Sequence, residues 1–291
     1  MELRHLRYLL AVVDHGNFTR AAETLHISQP TLSQQIKQLE RSLGAPLLDR
    51  SGRRVRLTDA GAAYTHHARL ALLDLDAAER AVHDVQDLSR GRLRIATTPT
   101  FTNYLVGPLV HRFRSAYPGI ALIVRETTQD RIEADLLADR VDLGIAFAGS
   151  HTAGIERTAM FTEELGLVVG EHHRLATVAP PLPVDRLAGE PLGLLTGDFA
   201  TRLHIDGYFA ECGIVPRIAV EANSVSALLE VVGLGSLATV LPDAIARDRP
   251  GLRPVTLTPP LPTRTVELLR RGTAYHSAAA RAFAAVAQES G

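Results

Sequence analysis

An α/β chain in three parts is predicted by three features of the 291-residue sequence. The first sixty residues form a basic head dense in short helical patterns. A stretch of about thirty residues without helix breakers follows. Beyond residue 91, strand-like apolar runs alternate with helical ones. A chain of this length exceeds what most single cores support, so more than one domain is expected. Hydrophobic residues at 46% are ample for those cores. The N-terminal stretch MELRHLRYLLAVVDHG is broken by Arg4, Arg7 and Asp14. It reads as neither a signal peptide nor a membrane span, and a cytoplasmic location is expected. Cys212 is the single cysteine, so no internal disulfide is available.

The charge is unevenly placed. Net charge is −1, yet residues 1–60 carry nine basic against six acidic side chains, leaving the remainder negative. A basic head on an acidic body fits a nucleic-acid-binding module joined to something else. Three helices are read in the head. The first covers Arg4–His15, with Leu6, Leu9, Leu10 and Val13 on one face and Gly16 as its stop. The second covers Thr19–Leu25, where Ala21 and Ala22 allow close approach. The third is capped by Ser28, tolerates Pro30 in its first turn, and ends at Gly44–Ala45–Pro46. Leu47–Leu57 then reads as a β-hairpin wing with a basic tip.

Two helices joined by a tight turn and followed by a wing make a winged helix-turn-helix. Leu32, Ile36, Leu39 and Leu43 are placed in its core. The other face of the third helix carries amides and hydroxyls with Lys37, the only lysine in the chain. Such a face alone is an ordinary polar surface. Beside the wing arginines it suits a DNA major groove, because Gln reads adenine, Ser and Thr bond either base type, and Lys takes guanine or phosphate.

The run FTRAAETLHISQPTLSQQIKQLE (Phe18–Glu40), with Leu43-Gly44, Leu47, Arg50, Arg53 and Leu57-Thr58-Asp59-Ala60-Gly61, closely resembles the signature of LysR-type transcriptional regulators. The resemblance implies that Gln29, Pro30 and Ser33 sit against bases. It places Thr31, Gln34, Lys37, Arg50 and Arg53 near bases or backbone. Ser28 and Arg54 complete the candidate DNA-binding set. The implied partners are double-stranded operator DNA with an inverted repeat, further copies of the chain (a homodimer or homotetramer) and RNA polymerase.

From Thr58 to Leu88, alanine and leucine dominate. About thirty residues of helix span roughly 45 Å, longer than one small domain uses. Its stripe of Ala68, Leu72, Leu75, Ala78 and Val82 is therefore expected against a partner chain. The pairs His66–His67 and His172–His173 lack further ligands at metal-site spacing and read as solvated histidines, with no metal expected.

After Ser89–Arg90–Gly91, strands are read at Leu93–Thr97, Ile120–Arg125, Asp142–Phe147, Gly166–Val169, Leu192–Leu195, Ile218–Glu221 and Leu237–Leu241, with helices between. This alternation predicts largely parallel sheets, and the length suits two lobes. Thr265–Arg270 reads as a strand and Ala274–Gln288 as a helix. The resemblance implies a two-lobed effector domain of periplasmic-binding-protein type, in which this last segment returns to the first lobe. The expected organisation is a winged helix-turn-helix at 1–58, a dimerising linker helix at 59–90, lobe I at 91–160 plus 265–291, and lobe II at 161–264.

Several strands end in hydroxyl- or amide-rich junctions before a helix, and any one alone is an ordinary helix cap. In open α/β sheets, however, such ends line the ligand crevice, and helix N-termini there favour anions. Thr98, Thr100, Thr102, Thr128, Gln129, Phe199, Thr201, Arg202, Asn223 and Ser224 are the candidate effector-binding residues, with Arg202 the most attractive charge. No GxSxG elbow, P-loop or HExxH is present, and neither enzymatic activity nor a cofactor is expected. Thr98–Thr102, Gly144–Phe147, Phe199–Arg202, Glu221–Ser224, Pro259–Leu261 and Leu268–Arg271 resemble, within the family, regulators of cyanate operons. That likeness implies cyanate as the effector, with an aromatic or amino acid as the alternative. In a different class stands a small-molecule binding protein that does not bind DNA.

Overall fold

The computed structural model describes residues 2–52, 55–84, 88–247, 249–272 and 275–289, the side chains of 79–84 excepted. It divides into two compact units, Met1–His83 and Asp84–Gly291.

The first unit holds α1 (Leu3–His15), α2 (Phe18–Thr24), α3 (Gln29–Leu43), β1 (Leu48–Asp49), β2 (Arg56–Leu57) and α4 (Asp59–Asp84). Helix α1 stops at Gly16, whose φ of 61° suits a residue without Cβ. Asn17 caps α2 by accepting from the Thr19 and Arg20 N–H groups at 2.8 and 3.1 Å. The turn into α3 passes through His26 at φ 56°, and Ser28 Oγ accepts from Thr31 N at 3.2 Å. Leu32, Ile36 and Leu39 are buried against Leu9, Val12, Ala21, Ala22 and Leu47. Leu43, expected in that core, is 40% exposed, since it is the last residue of α3 and lies beyond the small cluster. Strands β1 and β2 pair antiparallel, Leu48 opposite Leu57 and Asp49 opposite Arg56. Along α4, Ala68 and Ala77 are buried, Leu72 is half-buried, and Leu75 and Ala78 are exposed. The Val82 side chain lies outside the described residues.

The second unit contains β3 (Gly91–Thr97), α5 (Pro99–Thr102), α6 (Val106–Ala116), β4 (Ile120–Glu126), α7 (Gln129–Leu137), β5 (Leu143–Phe147), β6 (Ile155–Glu163), β7 (Leu165–Gly170), β8 (Leu182–Pro183) and β9 (Pro191–Leu195). It continues through α8 (Ala200–Glu211), β10 (Arg217–Ala222), α9 (Val225–Gly233), β11 (Ala238–Pro242), α10 (Asp243–Arg247), β12 (Leu252–Val255), β13 (Leu257–Thr258), β14 (Arg264–Arg271) and α11 (Ala278–Gln288). Two five-stranded sheets result, ordered β4-β3-β5-β14-β6 and β10-β9-β11-β7-β12. Each anchors its own lobe. Leu93, Ile145, Phe113, Val266 and Phe283 pack on the first sheet, while Leu167, Leu194, Phe209 and Val240 pack on the second.

The sheets are mixed rather than largely parallel. Strands β3, β4 and β5 are parallel, as are β9, β10 and β11, but β14 and β6 in one sheet and β7 and β12 in the other pair antiparallel. The crossings explain part of this. The chain passes between sheets at 163–165 and again at 258–264, so β7 and β14 enter their sheets from the opposite end to the βα units. No helix among the described residues is long and apolar enough to cross a membrane.

Candidate functional site

On α3, Gln29, Pro30, Thr31, Gln34 and Lys37 are exposed and Ser33 is half-buried. The helix therefore presents amides, a hydroxyl and one cation to solvent. Ser28 and Thr31 are partly engaged with each other, their hydroxyls 2.7 Å apart. Arg50 pairs with Glu40 at 2.9 Å, and its guanidinium lies 5.1 Å from the Phe18 ring. Arg53 and Arg54 lie outside the described residues. Glu40 was not singled out in the sequence, yet it ties the wing to α3: its Oε1 accepts from the Leu47 and Leu48 N–H groups at 2.9 and 3.1 Å. A carboxylate late in a polar helix gives no local sign of that role.

In the second unit, the carboxyl ends of β3, β4, β5, β9 and β10 converge on a cavity of about 240 Å³. The first lobe contributes Thr98, Thr100, Thr128, Gln129 and Phe147. The second contributes Asp198, Phe199, Thr201 and Asn223. Seven of the ten effector candidates are thus brought together. Contacts cross between the lobes beside it: the Thr100 and Thr201 hydroxyls are 3.2 Å apart, and Ser226 donates to Asn103 Oδ1 at 3.3 Å.

The hydroxyls at this cavity are not spent on capping. Thr98 and Thr128 precede α5 and α7, and Phe199 precedes α8, with no side-chain cap bond in any of the three cases. By contrast Ser224 and Ser277 do cap α9 and α11. Thr98 is 95% buried, and its Oγ1 has no hydrogen-bond partner among the described residues, which is costly unless something else bonds it. Gln129 is fixed differently, its amide bonded to both N and O of Phe147 at 3.2 and 3.0 Å.

Three candidates are placed elsewhere. The Thr102 hydroxyl donates to Pro99 O at 2.7 Å. Ser224 is the α9 cap. Arg202 is consumed by Asp206 at 2.8 Å, Glu221 at 2.5 Å and Leu195 O at 2.7 Å, and it lines neither this cavity nor its neighbour. Asp206, one helical turn on, was the local sign of that engagement.

A cation beside the cavity, in contact with two of its lining residues, is Arg264, the first residue of β14. Its side chain is 8% exposed and ion-paired through Nε with Glu163, the last residue of β6. Tyr104 donates to the other Glu163 oxygen. Arg264 Nη2 donates to Thr201 Oγ1 at 3.0 Å, and the guanidinium lies 3.6 Å from the Phe147 ring centroid. Burial lowers the Arg264 pKa from its ordinary value; burial, then Glu163, push the Tyr104 phenol up. Arg264 also lines an adjoining chamber of about 490 Å³ with Thr128, Phe147, Asp198, Leu203 and His204. Residues 104, 163 and 264 are far apart in the chain, and no local pattern unites them.

A helical head with an exposed polar helix face and a two-lobed α/β body with a cavity at its strand ends is an arrangement that suits a DNA-binding regulator. Comparison with known proteins makes this specific. Residues 3–62 match the family model "Bacterial regulatory helix-turn-helix protein, lysR family", and residues 86–291 match "LysR substrate binding domain". The chain is 33% identical to the nitrogen assimilation regulatory protein nac of Escherichia coli (strain K12), over 85% of this chain and 80% of that protein. It is 31% identical to the DNA-binding transcriptional dual regulator OxyR of the same organism, over 93% and 90%. Full-length CbnR complexed with its target DNA superimposes with a TM-score of 0.60 at 26% identity, over 100% of this chain and 99% of that one. The chain belongs to the LysR family of transcriptional regulators.

Proposed function

We propose that this protein is a non-enzymatic, cytoplasmic, DNA-binding regulator that reads an inverted-repeat operator through α3 and the wing. A small anionic effector binds its interlobe cavity. The observation that carries the effector reading is the convergence of unspent Thr98 and Thr128 hydroxyls and the uncapped α8 N-terminus on one cavity. Effector binding between the lobes shifts their geometry and, through oligomeric contacts, the bending of bound DNA. Sheet membership supports dividing the body into 91–160 plus 265–291 and 161–264, save that Phe161–Glu163 of β6 and Arg264 of β14 fall in the first sheet, with 59–90 as the dimerising linker after a 1–58 head. Assembly as a dimer or tetramer, and contact with RNA polymerase, belong to the same proposal.

Cyanate is the effector that resemblance implies. It is a triatomic anion filling a small part of the cavity, so aromatic acids and amino acids stand beside it as candidates. Footprinting and gel shifts with the DNA upstream of the coding region test the operator reading. Arg50→Ala is expected to weaken binding at all sequences, because it removes a phosphate-type contact. Gln29→Ala is expected to lose about 1–3 kcal/mol of discrimination at one base pair. An unchanged sequence preference in the Gln29 variant would refute base reading by that residue, and no binding by the wild-type chain would favour the non-DNA-binding alternative.

A further inference from the structure

Resting on the cavity reading above, we infer that the effector group taken by the cleft is a carboxylate and that Arg264 is the residue that selects it. A guanidinium offers donors along two edges. On Arg264, Nε faces Glu163 and Nη2 reaches Thr201, whereas Nη1 is buried with no hydrogen-bond partner among the described residues. Leaving such a donor unbonded is costly, and a ligand acceptor removes the cost. Nη1 and Nη2 together form the edge that takes a planar two-oxygen anion in parallel hydrogen bonds. Thr201 Oγ1 holds one of these donors, and it also faces Thr100 across the lobes.

Phe147, Thr98 and α8 suit the same group, whereas the Asp198 carboxylate at both chambers, which accepts from Thr196 Oγ1, and Asp130 at the outer one oppose it. Phe147 supplies a flat wall under the guanidinium and lines both chambers. Thr98 Oγ1, at the inner chamber, is a second buried group with no hydrogen-bond partner among the described residues. The first turn of α8, a 12-residue helix without a side-chain cap, adds positive potential. Glu163 has the opposite effect. It holds Arg264 in place, with Tyr104 fixing its other oxygen, while its negative charge opposes a second carboxylate on the same guanidinium. Glu163 is thus a positioning residue that keeps the site from saturating with weak acids.

The test uses full-length protein titrated calorimetrically with formate and acetate, with formamide and acetamide as neutral shape controls, and with cyanate. Carboxylates are expected to bind and the amides not to. Arg264→Gln is expected to weaken acetate at least tenfold. Because that variant leaves Glu163 buried and unpaired, Glu163→Gln serves as the second probe. It keeps one oxygen acceptor for Arg264 Nε, turns its NH2 toward the Tyr104 hydroxyl as a donor, and removes the competing charge; it is expected to tighten acetate at least threefold, a gain that misfolding does not produce. Amides binding as well as acids, an unchanged or weaker acetate affinity in Glu163→Gln, or binding of cyanate without the carboxylates would each overturn the inference. Competition by a bulky effector that leaves operator binding responsive would keep the regulator reading standing while this inference falls; failure of every small molecule to bind the wild-type chain would bring down both.

Discussion

His173 shows how one buried side chain sets a limit on stability. It is 3% exposed, and its Nδ1 accepts from Leu175 N at 3.1 Å, so Nε2 donates to Glu190 3.2 Å away. Burial lowers its pKa below the ordinary value, more than Glu190 raises it. A depressed folded pKa means that stability is present above the unfolded value of about 6.5 and is lost as pH falls through the folded one. The melting temperature is therefore expected to drop as buffers are taken from about pH 7 toward pH 5, and a His173→Gln variant is expected to flatten that part of the profile in calorimetry. The sequence read His173 as a solvated histidine. Nothing in an adjacent histidine pair reveals that Glu190 closes over one ring and not the other. Thr98, Thr128 and Phe199 were legible because a strand-to-helix junction is a local pattern. Arg264 was not, because its environment comes from residues 104, 147, 163 and 201.

Among the elements, the wing depends on a single helical side chain. Glu40 bonds two consecutive wing N–H groups and Arg50. Hydrogen bonds to a charged group contribute about 1.5–3 kcal/mol. Glu40→Ala is expected to destabilise the protein by about 2 kcal/mol in denaturant unfolding. Operator affinity is expected to fall as well, because Arg50 loses its anchor. An unchanged unfolding midpoint would show that the wing is held by Leu47 and Leu48 packing alone. Long periodic elements were readable from their patterns: α1, α3 and the parallel strands fall close to their expected ranges. β6, whose inward residues alternate weakly, and β12, which contains Pro254, gave no such signal. Strand direction was misjudged for the same underlying reason that the βα units were recognised. Alternation speaks for parallel pairing, but it is silent about strands that enter from the other lobe.

At the scale of the whole molecule, α4 carries an apolar surface that its own unit does not cover. Leu75 is 42% exposed. Leu75→Glu is expected to shift the assembly toward monomer in light scattering while leaving the fold intact by circular dichroism; an unchanged mass would remove α4 from the oligomer interface. The crossing of the chain between sheets has a separate consequence, for the order in which the body is made. The second sheet is built from residues 165–255, a continuous stretch complete before the C-terminal segment emerges. The first sheet is not. β6 pairs only through β14, which itself sits between β5 and β6, so β6 waits, edge exposed, for more than a hundred residues of synthesis. A chain ending before Arg264 would leave the nascent first lobe open and sticky beside a finished second one, making translation through Arg264–Arg271 the step that decides between a native body and an aggregate.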